Sequence, residues 1–89
     1  MNVQFDHSFY KSIKGLTDEG VKKKIANFIV ACEKVESLSE LKNIKKLHGC
    51  KTFYRLRIGD YRIGFELTDQ STIVFIIACH RKDIYRIFP

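Results

Sequence analysis

The spacing of apolar positions divides the chain into a helical half and a strand half. Val3 and Phe5 alternate with polar neighbours, which predicts a short strand over 2–5. Asp6 then suits the N-cap of a short helix carrying Phe9, Ile13 and Leu16 on one face and ending near Gly15. Thr17, followed by Asp18 and Glu19, predicts the start of a longer helix, since acidic residues in the first turn complement the helix dipole. Val21, Ile25, Phe28, Ile29, Cys32 and Val35 fall on its apolar stripe, so the two segments form a helical hairpin with one buried face. Leu38, Leu41, Ile44 and Leu47 recur every third residue, which predicts a helical turn followed by extended chain.

From Phe53 onward the period is two. Tyr54, Leu56 and Ile58 share one face of a strand, and Phe53, Arg55 and Arg57 share the other. Gly59-Asp60 is a two-residue hairpin signal. The returning strand puts Tyr61, Ile63, Phe65 and Leu67 opposite Arg62, Gly64 and Glu66. After a turn at Asp69-Gln70-Ser71, the run Thr72–Cys79 is apolar on both faces, as an interior strand is. A short basic tail follows, in which Ile84, Tyr85, Ile87 and Phe88 are available to pack. The expected order is β-α-α-β-β-β in one domain over 1–89: an α+β fold, with an antiparallel sheet against a helical hairpin.

Composition changes this picture little. At 89 residues and 45% hydrophobic the chain has globular composition and a thin core. No segment reads as a signal peptide or membrane span, and Cys32, Cys50 and Cys79 form neither a metal-ligand spacing nor a disulfide framework. We therefore expect a cytoplasmic protein with three small buried or half-buried thiols and no metal or cofactor. The net charge of +6 favours a polyanionic partner.

How that charge is distributed matters more. Residues 1–50 hold nine lysines and no arginine, whereas Arg55, Arg57, Arg62, Arg81 and Arg86 all lie in the strand half and tail. Lys22-Lys23-Lys24 fits the solvated side of a helix, but a guanidinium grips phosphate oxygens two at a time. A Gly59-Asp60 loop sets Arg57 directly opposite Arg62 and Arg55 opposite Gly64, with Glu66 the nearest carboxylate on that face. Facing like charges repel. Either they splay into water with partial neutralisation by Glu66, or an anion binds between them, with Gly64 letting a nucleic-acid backbone approach. The tail adds His80, Arg81, Lys82 and Tyr85: an acid–base group, two cations and a phenol that can stack on a base. His7 and His48 read as surface or capping residues.

The stretches Lys46-Leu47-His48-Gly49, Tyr54-Arg55-Leu56-Arg57-Ile58-Gly59-Asp60-Tyr61-Arg62-Ile63 and His80-Arg81-Lys82-Asp83-Ile84-Tyr85 strongly resemble the RelE/ParE superfamily of bacterial and archaeal toxins. The resemblance covers nearly the whole chain. It implies a toxin held inactive in a heteromeric complex with an acidic antitoxin that folds on binding. In the RelE branch it implies a metal-free endoribonuclease that cuts mRNA on the ribosome: the 2′-hydroxyl attacks phosphorus, leaving a 2′,3′-cyclic phosphate. Carried over by position, Arg55 and Arg57 hold RNA, with Lys51 and Lys82 as further RNA contacts. Arg62 stabilises the transition state, Arg81 or His80 assists the leaving oxygen, and Tyr85 stacks or moves a proton; Glu66 is a further base candidate. The superfamily also includes gyrase inhibitors, and a non-catalytic chain that only binds antitoxin or RNA is the remaining alternative.

Overall fold

The computed structural model describes residues 1–49 and 51–89, so the expectation of a buried thiol at Cys50 lies outside the described residues. The elements are β1 (Asn2–Phe5), α1 (His7–Lys14), α2 (Glu19–Lys34), a single 3₁₀ turn (Leu38–Glu40), β2 (Ile44–Lys46), β3 (Phe53–Ile58), β4 (Tyr61–Asp69), β5 (Thr72–His80) and α3 (Ile84–Ile87). The five strands form one sheet in the order β1-β5-β4-β3-β2.

The α+β class and the expected elements are present, with three differences. β1 runs parallel to β5, so the sheet is mixed and not wholly antiparallel. The extended chain after the 3₁₀ turn is a fifth strand, β2, pairing Ile44 with Leu56 and Lys46 with Tyr54. The tail closes on a one-turn helix, α3.

Caps fix the helices. The Asp6 carboxylate accepts the Ser8 N–H (3.1 Å), and these bonds from Ser8 hold its carboxyl below the usual carboxylate range. Asp18, and not Thr17, caps α2 by accepting the Val21 N–H at 3.1 Å. Leu16 lies beyond the end of α1 yet is buried, and Val35 ends α2 in an extended conformation.

Both long helices cover the inner face of the sheet. There Phe65 and Phe75 are completely buried, Phe9 lies 5.5 Å from Phe75 between ring centroids, and Phe28 bridges Phe65 (6.2 Å) and Phe75 (6.1 Å). α1 also seals an open edge. β1 ends at Phe5, leaving the next polar groups of β5 without a strand partner. Ser8 Oγ donates to the Ile76 carbonyl (2.6 Å), and Ser12 Oγ accepts the Ala78 N–H (3.0 Å). Two serines on one helix face thus replace the missing ladder. Cys32, fully buried on the inner side of α2, has its thiol pushed up to about 12 by burial.

The outer face carries a smaller apolar layer. Ile84 and Phe88, four apart and so on one side of the tail turn, are both buried. Phe88 meets Phe53 edge to face, with centroids 5.6 Å apart, and lies directly over Gly64. A Cβ on Gly64 would stand 2.7 Å from the Phe88 ring. Gly64 therefore accommodates the chain's own tail, which corrects the expectation that it opens the sheet to a nucleic-acid backbone.

Candidate functional site

The β3–β4 hairpin has the register that its turn residues predict. Gly59, in the left-handed region at φ 56°, turns the chain, so that Ile58 pairs with Tyr61, Arg57 with Arg62 and Arg55 with Gly64. β2 extends the row, since Lys45 pairs with Arg55. Lys45, Arg55, Arg57 and Arg62 consequently line one open depression of about 300 Å³ on the outer face, with Asn43 and Tyr85 at its margins. A second depression of about 470 Å³ adjoins it, lined by Arg62, Arg81, Lys82 and Tyr85. Tyr85, 79% exposed, lines both, while Ile84 of α3 and Phe88 just after it are buried.

Few of these cations are neutralised. Among the described residues the ion pairs are Lys22–Glu19, Arg81–Asp60 and Arg86–Asp83, so Lys45, Arg55, Arg57 and Arg62 take part in none. Arg62 Nη1 donates to the Gly59 carbonyl (2.8 Å) and the Tyr61 carbonyl (2.9 Å), which fixes its guanidinium against the turn. The Arg55 Cζ lies 4.8 Å from the Tyr85 ring centroid, a cation–π contact that steadies both. Arg81 is tied to the hairpin twice: its backbone N–H donates to the Asp60 carbonyl (2.7 Å), and its Nε lies 3.7 Å from the Asp60 carboxylate. Cys79 pairs across the sheet with Arg62; burial, and then the Asp83 carboxylate, push its thiol up.

The structure brings together Arg55, Arg57, Arg62, Arg81, Lys82 and Tyr85. It does not bring in three others. His80 pairs with Tyr61, which places its ring on the inner face, edge to face with the Tyr61 ring at 5.6 Å. Its Nδ1 accepts the Lys82 N–H at 3.2 Å, so it shapes the turn that presents Lys82. Lys51 is exposed but borders neither depression. Glu66 pairs with Phe53 and accepts a hydrogen bond from Thr52 Oγ1 (3.0 Å), so it is not the counter-ion of the Arg57–Arg62 pair. Sequence reasoning missed Asn43 and Lys45, which line the main depression. A strand of three residues offered no periodic signal for Lys45; for Asn43, at φ 65°, the signal was a residue type that tolerates the left-handed region.

Chemically, this surface can bind a phosphodiester through several guanidinium groups, stabilise charge that builds up on phosphorus, and present a phenol to a base or a proton. Among the described residues no three His, Cys, Asp or Glu side chains are placed to hold a metal ion.

No protein-family model matches the chain. Over 90 aligned residues, spanning all of both chains, it is 41% identical to Toxin RelE3 of Methanocaldococcus jannaschii. Its structure matches a chain of the RelB–RelE antitoxin–toxin complex from Methanococcus jannaschii with a TM-score of 0.82 and 39% identity, covering 97% of this chain and 99% of that one. A chain in the complex of E. coli toxin RelE, with two arginines replaced by alanine, and a RelBc antitoxin peptide matches at TM-score 0.62 and 16% identity, covering 98% and 97%. At that identity the likeness establishes the fold alone. The full-length identity to Toxin RelE3, on a fold that assembles the arginine face, shows that this chain belongs to the RelE toxin family.

Proposed function

We propose that this protein is the toxin of a type II toxin–antitoxin pair and that, once free of its antitoxin, it cleaves mRNA on the ribosome. The observation that carries this reading is the convergence of Lys45, Arg55, Arg57 and Arg62, none of them ion-paired among the described residues, on one depression beside an exposed Tyr85. In the proposed reaction the 2′-oxygen attacks the adjacent phosphorus as the bond to the 5′-oxygen breaks. The products are a 2′,3′-cyclic phosphate and a 5′-hydroxyl. Arg55, Arg57 and Lys45 hold the strand, and Arg62, fixed by two turn carbonyls, faces the charge developing on phosphorus. Arg81 stabilises the leaving 5′-oxygen, and Lys82 binds the strand beyond it. Among the described residues lining the main depression, Tyr85 is the only titratable one that is not a lysine or arginine, which makes its phenol the group to relay the proton. The same reading assigns Lys51 to more distant RNA and gives His80 no acid–base role. Work on translating ribosomes requires a cytoplasmic protein.

The proposed partner is an antitoxin with an acidic segment that folds on binding and covers this face. Support comes from the structural relatives, which are complexes of RelE toxins with RelB antitoxins. Inducing the chain and mapping the 5′ ends of cellular mRNA tests the reading. New 5′-hydroxyl ends within codons are expected, and co-expression of a small acidic neighbour should suppress them. Growth arrest with intact mRNA and broken DNA would overturn it in favour of a gyrase inhibitor.

A further inference from the structure

The Arg55–Tyr85 pair has two sides. On one lies the cationic depression; on the other is a separate hollow of about 230 Å³ that Arg55 and Tyr85 also line. Its remaining walls are of another character. Leu47, Ile84, Phe88 and Pro89 supply carbon surface, and His48 stands exposed at the rim. Ile84 and Phe88 are themselves buried, Phe88 over Gly64 and against Phe53, so the floor of the hollow is packed on the sheet. Gly49, in the left-handed region at φ 78°, turns the chain just after His48.

A nucleotide has the same division of chemistry. Its phosphate calls for cations, and its base for a flat apolar slot with one or two groups that hydrogen-bond an edge. The two hollows, separated by one stacked guanidinium–phenol pair, match those two halves. We propose that the Leu47–Phe88 hollow holds a base of the RNA next to the cleaved linkage, and that His48 reads that base by hydrogen-bonding its edge. The imidazole offers one donor and one acceptor, enough to separate bases whose edges differ in polarity. The apolar walls add affinity for any base, and the rim histidine supplies the choice among them. This inference rests on the proposed ribonuclease reading.

The test is cleavage of mRNA on ribosomes programmed with a panel of A-site codons, scored as kcat/KM for each codon with the wild-type chain, His48→Ala, His48→Gln and Lys23→Ala. Lys23, exposed on α2 and remote from both hollows, is the control. For the wild type, kcat/KM should vary by about tenfold with the base at one codon position, the scale of one hydrogen-bonded base edge. His48→Ala should remove that variation by slowing the favoured codons while leaving the disfavoured ones unchanged. His48→Gln, which keeps a donor and an acceptor, should restore part of it, and Lys23→Ala should match the wild type. An abasic nucleotide at that position, which gives up the apolar contact as well as the edge contact, should slow the wild type below the rate of His48→Ala on the favoured codons. If His48→Ala slows every codon equally, or none, the base-reading role is wrong while the nuclease reading stands. If the wild type cuts no codon, both fall together.

Discussion

Replacing Gly64 by alanine puts a methyl group 2.7 Å from two atoms of the Phe88 ring and 2.8 Å from a third, which no packed side chain tolerates. The backbone on both sides is held in the β3–β4 and β4–β5 ladders, so the ring has to yield. Phe88 is 6% exposed and also forms the edge-to-face contact with Phe53, so lifting it exposes most of a phenyl ring and loosens Ile84 with it. Overpacking of this kind costs about 1–3 kcal/mol, and losing the burial of a phenylalanine outright costs a similar amount. We expect Gly64→Ala to lower stability by about 2 kcal/mol, or about 8–16 °C in Tm for a domain of this size. The decisive assay is a double-mutant cycle in urea. With Phe88→Ala already in place there is no ring to strike, so adding Gly64→Ala should cost little, and the coupling should exceed about 1 kcal/mol. Additivity within about 0.5 kcal/mol would show that Phe88 does not sit over Gly64 and would remove the physical account of how Tyr85 is presented.

Arg62→Ala should lower the cleavage rate about 10²–10³-fold with little change in apparent RNA affinity, as single-turnover kinetics would show; equal losses in rate and affinity would reduce Arg62 to a phosphate contact. Lys45→Ala should weaken binding of a non-cleavable RNA and reduce the slope of log K against log salt by about one, measured by titration from low to physiological salt. The Cys32 thiol is raised to about 12 in the folded chain, so the unfolded chain ionises first on alkalinisation. Its stabilising contribution is complete below the ordinary thiol pKa and falls by about 1.4 kcal/mol per pH unit as pH rises from there towards 12. Urea midpoints of the wild type and Cys32→Ser compared between pH 8 and 11 should converge as pH rises.

The parts of this structure that could be read in the sequence are those fixed by local chemistry. Gly59-Asp60 with period-two flanks determines both the hairpin and its register, and hence the Arg57–Arg62 and Arg55–Gly64 pairs. β2 was legible only as extended chain, because three residues carry no periodicity and the strand exists through its pairing with β3. Nothing in Asn2–Phe5 encodes the direction of its partner, so the parallel pairing with β5 could not be read. The position of His80 depends on a single irregularity. The register of β4 against β5 shifts between Gly64 and Phe65, where Ile77 and Phe75 are the partners and Ile76 is the extra residue. Without that bulge, strict alternation from Ile73 and Phe75 would put His80 on the arginine face. The extra residue reverses the alternation and puts Cys79 there in its place. Gly64 did signal a close approach to the sheet; the identity of the approaching group, Phe88, depends on the tail folding back.

A domain this small has little stability to lose, yet it sets two arginines opposite each other without a carboxylate between them. The partners these cations do have explain how. Of the facing pair, Arg62 is held by two peptide carbonyls, and Arg55, two residues from Arg57 on the same face, is held by an aromatic ring. Both kinds of partner fix a guanidinium in place without cancelling its charge, whereas a carboxylate would do both. The field of the face is therefore kept for an anion from outside, and the repulsion is a cost that a bound phosphate removes. Asn43→Asp tests this trade directly. Asn43 borders the depression in a left-handed conformation that aspartate also adopts, so the change adds one negative charge with almost no change of shape. Stability without ligand should rise by a few tenths of a kcal/mol to about 1 kcal/mol, as for an exposed ion pair. RNA affinity should fall and its salt slope should lose about one unit. Opposite signs for folding and binding are the signature expected of a cation cluster left uncompensated for its ligand. If the aspartate variant were no more stable and bound RNA as well as the wild type, the charges of this face would not be acting together.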